Sequence, residues 1–183
     1  YWGMNKVFEN LQLHNIFFTE NYEKEFNALF KEQKIDNDPT IYINITSKYE
    51  KNDAPKGGEN WFVMVNAPNN DWQNWDELVS NCRKNLIVKL EKMLQTSIES
   101  HIVCESTLDP RSIELKTASY KGALYGSSSN SKFSAFLRHK NYSSSIDNLY
   151  FCGGSVHPGG GIPLCLQSAK IVSDLIPTNK LRK

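Results

Sequence analysis

Residues Asn148 to Gly161 read NLYFCGGSVHPGGG and run directly into IPLCLQSAKIVSDLI. Five of the chain's ten glycines fall in this stretch, at 153, 154, 159, 160 and 161, with His157 and Pro158 between them. A run of residues without a Cβ lets the main chain approach another group closely and take up left-handed backbone angles. A helix that follows such a run begins with N–H groups that have no partner inside it, and its dipole places positive charge at that end. Pro163 suits the first turn, because the N–H it lacks is one of the unpartnered ones. The chemistry open to this turn is recognition of a phosphate, or of an electron-rich ring edge that becomes negative on reduction. A glycine turn that only lets a strand pack closely on the next helix has the same composition, and a lone His beside Pro commonly hydrogen-bonds the loop backbone.

Elements on both sides must hold the turn. LYFCG reads as a short buried strand, and Ile162, Cys165, Leu166, Ala169, Val172 and Ile176 share one face of a helix. Earlier in the chain, Leu13 to Phe18 suits a strand, and Asn21 to Gln33 carries Tyr22, Phe26, Leu29 and Phe30 at helical spacing behind Thr19 or Asn21 as cap. Thr40 to Thr46 and Asn60 to Val65 read as two strands, and the polar loop KYEKNDAPKGGE between them is long enough to return the chain antiparallel. Apolar positions from Trp75 to Leu94 step by three and four, which marks a long amphipathic helix. HIVCEST is a further strand, and Asp109-Pro110 opens a short helix. Gly122 to Ser145 is serine-rich and loop-like, interrupted by aromatics. Strand and helix patterns are segregated, which predicts an α+β fold with an antiparallel sheet from about residue 13 to about residue 66.

Composition excludes several classes. Lys and Arg (21) balance Asp and Glu (20), leaving +1, so nothing calls for a nucleic-acid partner. Cys82, Cys104, Cys152 and Cys165 have no spacing suited to zinc, and are expected to be buried, reduced thiols of a cytosolic protein that holds no metal. No apolar run approaches the length of a membrane span. Paired carboxylates and a Ser-His-Asp arrangement are not evident, which argues against hydrolysis. The dinucleotide fingerprint GxGxxG is not found. The chain opens YWGMNKVF, as a segment entered part-way would, and is expected to be a piece of a longer protein.

NLYFCGGSVHPGGGIPLCLQSAKIVSDL resembles the C-terminal signature of the FAD-dependent carotenoid desaturases of the bacterial phytoene desaturase type. That pattern runs strand, Gly, two residues, Thr-His-Pro-Gly-x-Gly-Ile-Pro, and then a helix containing Ser-Ala-Lys. LHNIFFTENYEKEF, DPTIYINITSKYEKNDAPKGGENWFVMVNAP, ESTLDP and SYKGALYGSSSNSKFSAFLRHKN resemble the same family in the same order. YWG beside LHNIFF is more similar to the branch acting on hydroxylated or partly desaturated carotenoids.

The resemblance implies the C-terminal part of a two-domain FAD/NAD(P)-binding flavoprotein. Residues 1–105 would be part of the substrate-binding region, 106–147 a connecting segment, and 148–183 the last strand and helix of the FAD domain. Gly153 and Gly154 would lie beside the ribityl chain, Ser155, His157, Pro158, Gly159, Gly160 and Gly161 along the flavin, and the Ile162 N–H near its pyrimidine edge. Gly154 stands where many related flavoproteins have Asp or Glu, and Ser155 where this family usually has Gly. The implied activity is oxidative: two hydrogens leave adjacent carbons of a polyene, with the flavin as acceptor. No residue of this chain takes a catalytic role by resemblance, and alone it is expected to be inactive and to bind FAD weakly. A carotenoid partner and a cytoplasmic, peripherally membrane-associated location are implied as well. Carotenoid isomerases and prenyl-chain saturases use the same scaffold, and a non-enzymatic apolar-lipid binding module would share its apolar residues. Trp2, Phe17, Phe18, Tyr42, Trp61, Tyr120, Tyr125 and Phe136 are candidates for an apolar tunnel, although aromatics at strand spacing are mostly core. Arg138 and His139 are open to an entry role or to solvated surface.

Overall fold

Two patterns of sequence build the first 112 residues: short β-branched runs that alternate, and one long helix with an apolar stripe. The computed structural model describes residues 1–126 and 138–176. Five strands form one sheet: β1 (Trp2–Met4), β2 (His14–Phe17), β3 (Ile41–Asn44), β4 (Glu59–Val65) and β5 (Ile102–Glu105). Their order is β2-β3-β4-β1-β5, and every pairing is antiparallel. The expected antiparallel sheet is present, and β1 and β5 extend it beyond the expected span.

Register decides which side chains face inward. Ile41 pairs with Val65 and Ile43 with Val63, while Trp2 pairs with Trp61, so these residues share the core face. They join Cys82, Leu86, Ile87 and Leu90 of α2 (Trp75–Leu94) in one buried apolar cluster. Burying each such side chain contributes roughly 1.5–3 kcal/mol. α2 starts where the Asn74 side chain accepts from the Glu77 N–H, and ends at Gln95 in the left-handed region. Burial pushes the Cys82 thiol up to about 11, as an inert structural thiol requires. One buried charge interrupts the core face. Glu59, opposite Met4, accepts from Lys48 Nζ at 2.6 Å, Trp61 Nε1 at 2.8 Å and the Phe8 N–H at 3.2 Å.

α1 (Tyr22–Asn27) is capped by Asn21 and continues as a π-type turn to Glu32. α3 (Pro110–Thr117) begins where Asp109 accepts from the Ser112 N–H at 2.7 Å, as its Asp-Pro start predicts.

The chain packs as two compact units, divided between Ser112 and Ile113. In the second unit the helix expected after the glycine turn forms as α4 (Ile162–Leu175). LYFCG does not form a buried strand: Tyr150 makes a single bridge with Tyr142, and Leu149 and Cys152 are exposed. A strand needs a continuous partner, and only Asn141 to Ser143 lies beside this segment among the described residues. Phe136 lies outside the described residues.

Candidate cofactor site

The glycine turn spans Gly153 to Gly161 and delivers the chain into α4. Gly153 and Gly161 have φ of 125° and 103°, a region that side chains resist. No atom lies within 4 Å of where a Cβ on either would stand, so both leave open space above the backbone. The remaining glycines are close-approach positions. A Cβ on Gly154 would stand 3.2 Å from Gly160 Cα, because the two limbs of the turn press together there. This gives a steric reason for Gly154 where related flavoproteins have Asp or Glu. A Cβ on Gly159 would stand 3.2 Å from Arg138 Nε, and one on Gly160 would fall 2.2 Å from the Tyr125 ring.

The hydrogen bonding of the turn divides into groups already used and groups left over. The Gly153 N–H donates to Ser168 Oγ at 3.1 Å, and the Gly154 carbonyl accepts from Arg138 Nη1 at 3.4 Å. His157 is held through its main chain on both sides: its N–H donates to the His139 carbonyl at 2.9 Å, and its carbonyl accepts from Asn141 Nδ2 at 2.8 Å. The His157 ring and Ser155 are exposed, and the His157–Pro158 peptide is cis. His139 packs its ring edge-on to Phe151 at 4.9 Å, and Arg138 also donates to the Tyr125 carbonyl, so both serve the turn's surroundings. Among the described residues, none accepts from the N–H groups of Gly159, Gly160, Gly161 or Ile162. These four consecutive donors stand at the positive end of a 14-residue helix whose N-cap, Gly161, offers no side-chain cap.

The face of α4 differs from expectation. Ile162 and Leu166, expected inward, are 80% and 67% exposed, and Ala169 is exposed too. The fully buried position is Ser168, flanked by the half-buried Cys165, Ile171 and Val172. Gln167, Lys170 and Asp174 mark one polar side, but apolar residues spread over most of the remaining circumference, so their spacing does not single out one inward side. A polar partner decides instead: Asn141, itself 4% exposed, donates to Ser168 Oγ at 2.8 Å. Asn141 was not singled out by the sequence, and Ser168 entered only within the Ser-Ala-Lys of the family pattern, with no role assigned to it. Ser168 left a faint signal, as a hydroxyl set in an apolar helix.

The open backbone at Gly153 and Gly161 and the run of free donors fit a flat, electron-rich group laid along the turn. No metal-binding group of His, Cys, Asp or Glu occurs among the described residues.

Over 177 residues the chain is 57% identical to the 1-hydroxycarotenoid 3,4-desaturase of Flavobacterium sp. strain P99-3, covering 97% of this chain and 36% of that protein. It is 35% identical over 175 residues to the 4,4'-diaponeurosporene oxygenase of Staphylococcus haemolyticus, covering 95% of this chain and 35% of the relative. The namesake oxygenase of Staphylococcus aureus strain MW2 is 38% identical over the same share of the chain. Nearly the whole chain is thus similar to part of a 1-hydroxycarotenoid 3,4-desaturase and of two 4,4'-diaponeurosporene oxygenases. It spans about a third of the length of the curated relatives it matches. No protein-family model matches it. The resemblance of the glycine signature to the desaturase family thus holds over nearly the whole chain.

Proposed function

We propose that this chain is the C-terminal part of an FAD-dependent carotenoid desaturase, which introduces a double bond into a polyene. The observation that carries the reading is the 57% identity over 97% of the chain to a 1-hydroxycarotenoid 3,4-desaturase. The more distant oxygenases, at 35% and 38% identity, make oxidation of a polyene terminus the second reading. A 1-hydroxylated carotenoid is the proposed substrate, with dehydrogenation at the 3,4 bond.

FAD, when bound, supplies the acceptor for the hydride that leaves the polyene. The turn's residues supply binding and orientation. Gly159, Gly160, Gly161 and Ile162 offer N–H groups to a ring edge that gains negative charge on reduction, and the helix end favours that charge. Gly153 and Gly161 leave the room that such an approach needs. Ser155, His157 and Pro158 shape the turn, with His157 acting through its main chain.

The outer face of the sheet is the proposed bed for the polyene. Ile16, Tyr42 and Met64 form one cross-strand row there, with Ile16 and Met64 exposed, and the Tyr1 and Phe62 rings meet at 5.1 Å. Trp2, Phe17 and Trp61 are core residues and take no part in the bed, whereas Tyr42 faces it. Phe18, Tyr120 and Tyr125 are exposed. A polyene dissolves in bilayers, so peripheral membrane association on the cytoplasmic side belongs to the proposal. Among the described residues no helix is long and apolar enough to cross a membrane.

The test is product analysis of the whole flavoprotein supplied with FAD and a 1-hydroxycarotenoid. A product two hydrogens lighter supports the reading. An oxygenated terminus, a rearranged isomer or a saturated chain replaces it with the corresponding alternative. Tight polyene binding by a colourless, flavin-free protein would point to a non-enzymatic lipid binder.

A further inference from the structure

We propose that Asn141 is the positioning residue for the glycine turn, setting where its free N–H groups stand. The proposal rests on the reading of that turn as a flavin site.

Asn141 Nδ2 lies 3.1 Å from the Phe151 carbonyl, 2.8 Å from the His157 carbonyl and 2.8 Å from Ser168 Oγ. One amide therefore reaches the segment before the turn, the turn itself and the middle of the helix after it. Two of these partners are carbonyls, which only accept, so the NH2 end of the amide must face them. The Asn141 main chain adds a fourth tie, its carbonyl accepting the Phe151 N–H at 2.8 Å. Ser168 Oγ passes the restraint on by accepting the Gly153 N–H at 3.1 Å. Two residues earlier, His139 holds the His157 N–H at 2.9 Å.

These bonds fix the turn at its start, Gly153, and at its midpoint, His157. None of them uses the N–H groups of Gly159 to Ile162; the peptide carrying the Ile162 N–H is oriented by α4, whose Cys165 N–H donates to the Gly161 carbonyl at 2.9 Å, while the N–H groups of Gly159 to Gly161 follow the turn's path. A displacement at His157 is therefore carried into the donors of Gly159 to Gly161, two to four residues later, because no other hydrogen bond among the described residues holds those N–H groups. Both Asn141 and Ser168 are buried, so their bonds are formed away from competing water and losing one leaves a buried partner unpaired.

Asn141→Asp is close to isosteric but turns acceptor oxygens toward two carbonyls. Whole flavoprotein carrying Asn141→Asp, Ser168→Ala or Gly161→Val would be purified. Flavin affinity per folded molecule, the shape of the bound flavin's visible band, its reduction potential and the melting temperature of the apoprotein would be measured. The expected result for Asn141→Asp is flavin affinity weakened about tenfold or more in the folded fraction, with a changed band and potential. Ser168→Ala is expected to change the same readouts in the same direction by less. A folded Asn141→Asp protein with unchanged affinity, band and potential overturns the proposal, since a purely structural role lowers only the melting temperature. Should Asn141→Asp fail to fold, Ser168→Ala decides in its place: unchanged flavin properties overturn the proposal and altered ones uphold it. Gly161→Val keeping its flavin overturns the flavin reading itself. Gly161→Val losing flavin while Asn141→Asp keeps normal flavin overturns only the role of Asn141.

Discussion

The interior of the first unit is mainly apolar, with the carboxylate residues Glu25, Glu59 and Asp109 buried in it, whereas among the described residues the buried polar side chains of the second are Asn141 and Ser168. Among the described residues, all the buried hydrophobic ones lie at or before Ile98. Beyond it, α4 exposes Ile162, Leu164, Leu166 and Leu175 while its one buried residue is a serine. The two units are thus specified by different forces. Non-directional apolar burial holds the first, and directional hydrogen bonds with close glycine contacts hold the second. The difference teaches where function has been given space. A unit organised by a few polar ties can leave backbone donors and apolar surface unused by its own fold, and the turn from Gly153 to Gly161 does so.

The largest effect on stability is expected in the first unit. Lys48→Met would leave Glu59 buried without its cation and should cost about 3–5 kcal/mol, read as a lower urea midpoint. A loss under 1 kcal/mol would break the contrast, by showing that the Trp61 and Phe8 donors alone satisfy the carboxylate. Next, Leu90→Ala on α2 should cost about 2–5 kcal/mol, because Leu90 is fully buried. Leu166→Ala on α4 should cost the isolated chain no more than about 0.5 kcal/mol, since that side chain is exposed. Equal losses would erase the distinction between the two units.

A smaller effect concerns pH. Burial pushes the Asp38 carboxyl up, but hydrogen bonds from Lys89, the Glu20 N–H and Thr19 outweigh it and hold the group below its ordinary value. A carboxylate whose folded value is lowered contributes stability above its unfolded value, about 4, and loses it as pH falls through the folded one. Asp38→Asn should therefore be less stable than the parent at neutral pH and converge with it in acid. A difference that persists unchanged into strong acid would contradict this.

Long or repeated patterns were legible in the sequence. The 20 residues of α2 carry enough apolar steps to define a face, β3 alternates, and β4 is a continuous apolar run. β1 was not legible: Trp2–Met4 is three residues with a glycine at its centre, and only its pairing with β4 and β5 makes it a strand. The turn stood out because glycine is distinctive in composition. Asn141 did not, because its partners lie 10, 16 and 27 residues away and two of them are main-chain carbonyls, which leave no residue-type signature. The inward face of α4 was misjudged for the same reason. Apolar spacing was the visible signal, and a buried Asn–Ser bond decided the outcome.

The central claim is that the glycine turn holds flavin, and the most direct measurement compares two glycines of positive φ. Gly57, in the polar loop before β4, and Gly161 have φ of 83° and 103°, and neither has an atom within 4 Å of a Cβ position. Valine at either site therefore meets a positive φ without a packing clash, and the melting temperature of each variant shows how much backbone strain it adds. Gly160 is a poorer probe, because a side chain there would strike the Tyr125 ring. Gly57→Val and Gly161→Val would be introduced separately into the whole protein, and the flavin-to-protein absorbance ratio of the folded material compared. The predicted result is near-normal flavin in Gly57→Val and almost none in Gly161→Val. Equal flavin content in the two variants would contradict the claim and leave the turn as a packing device.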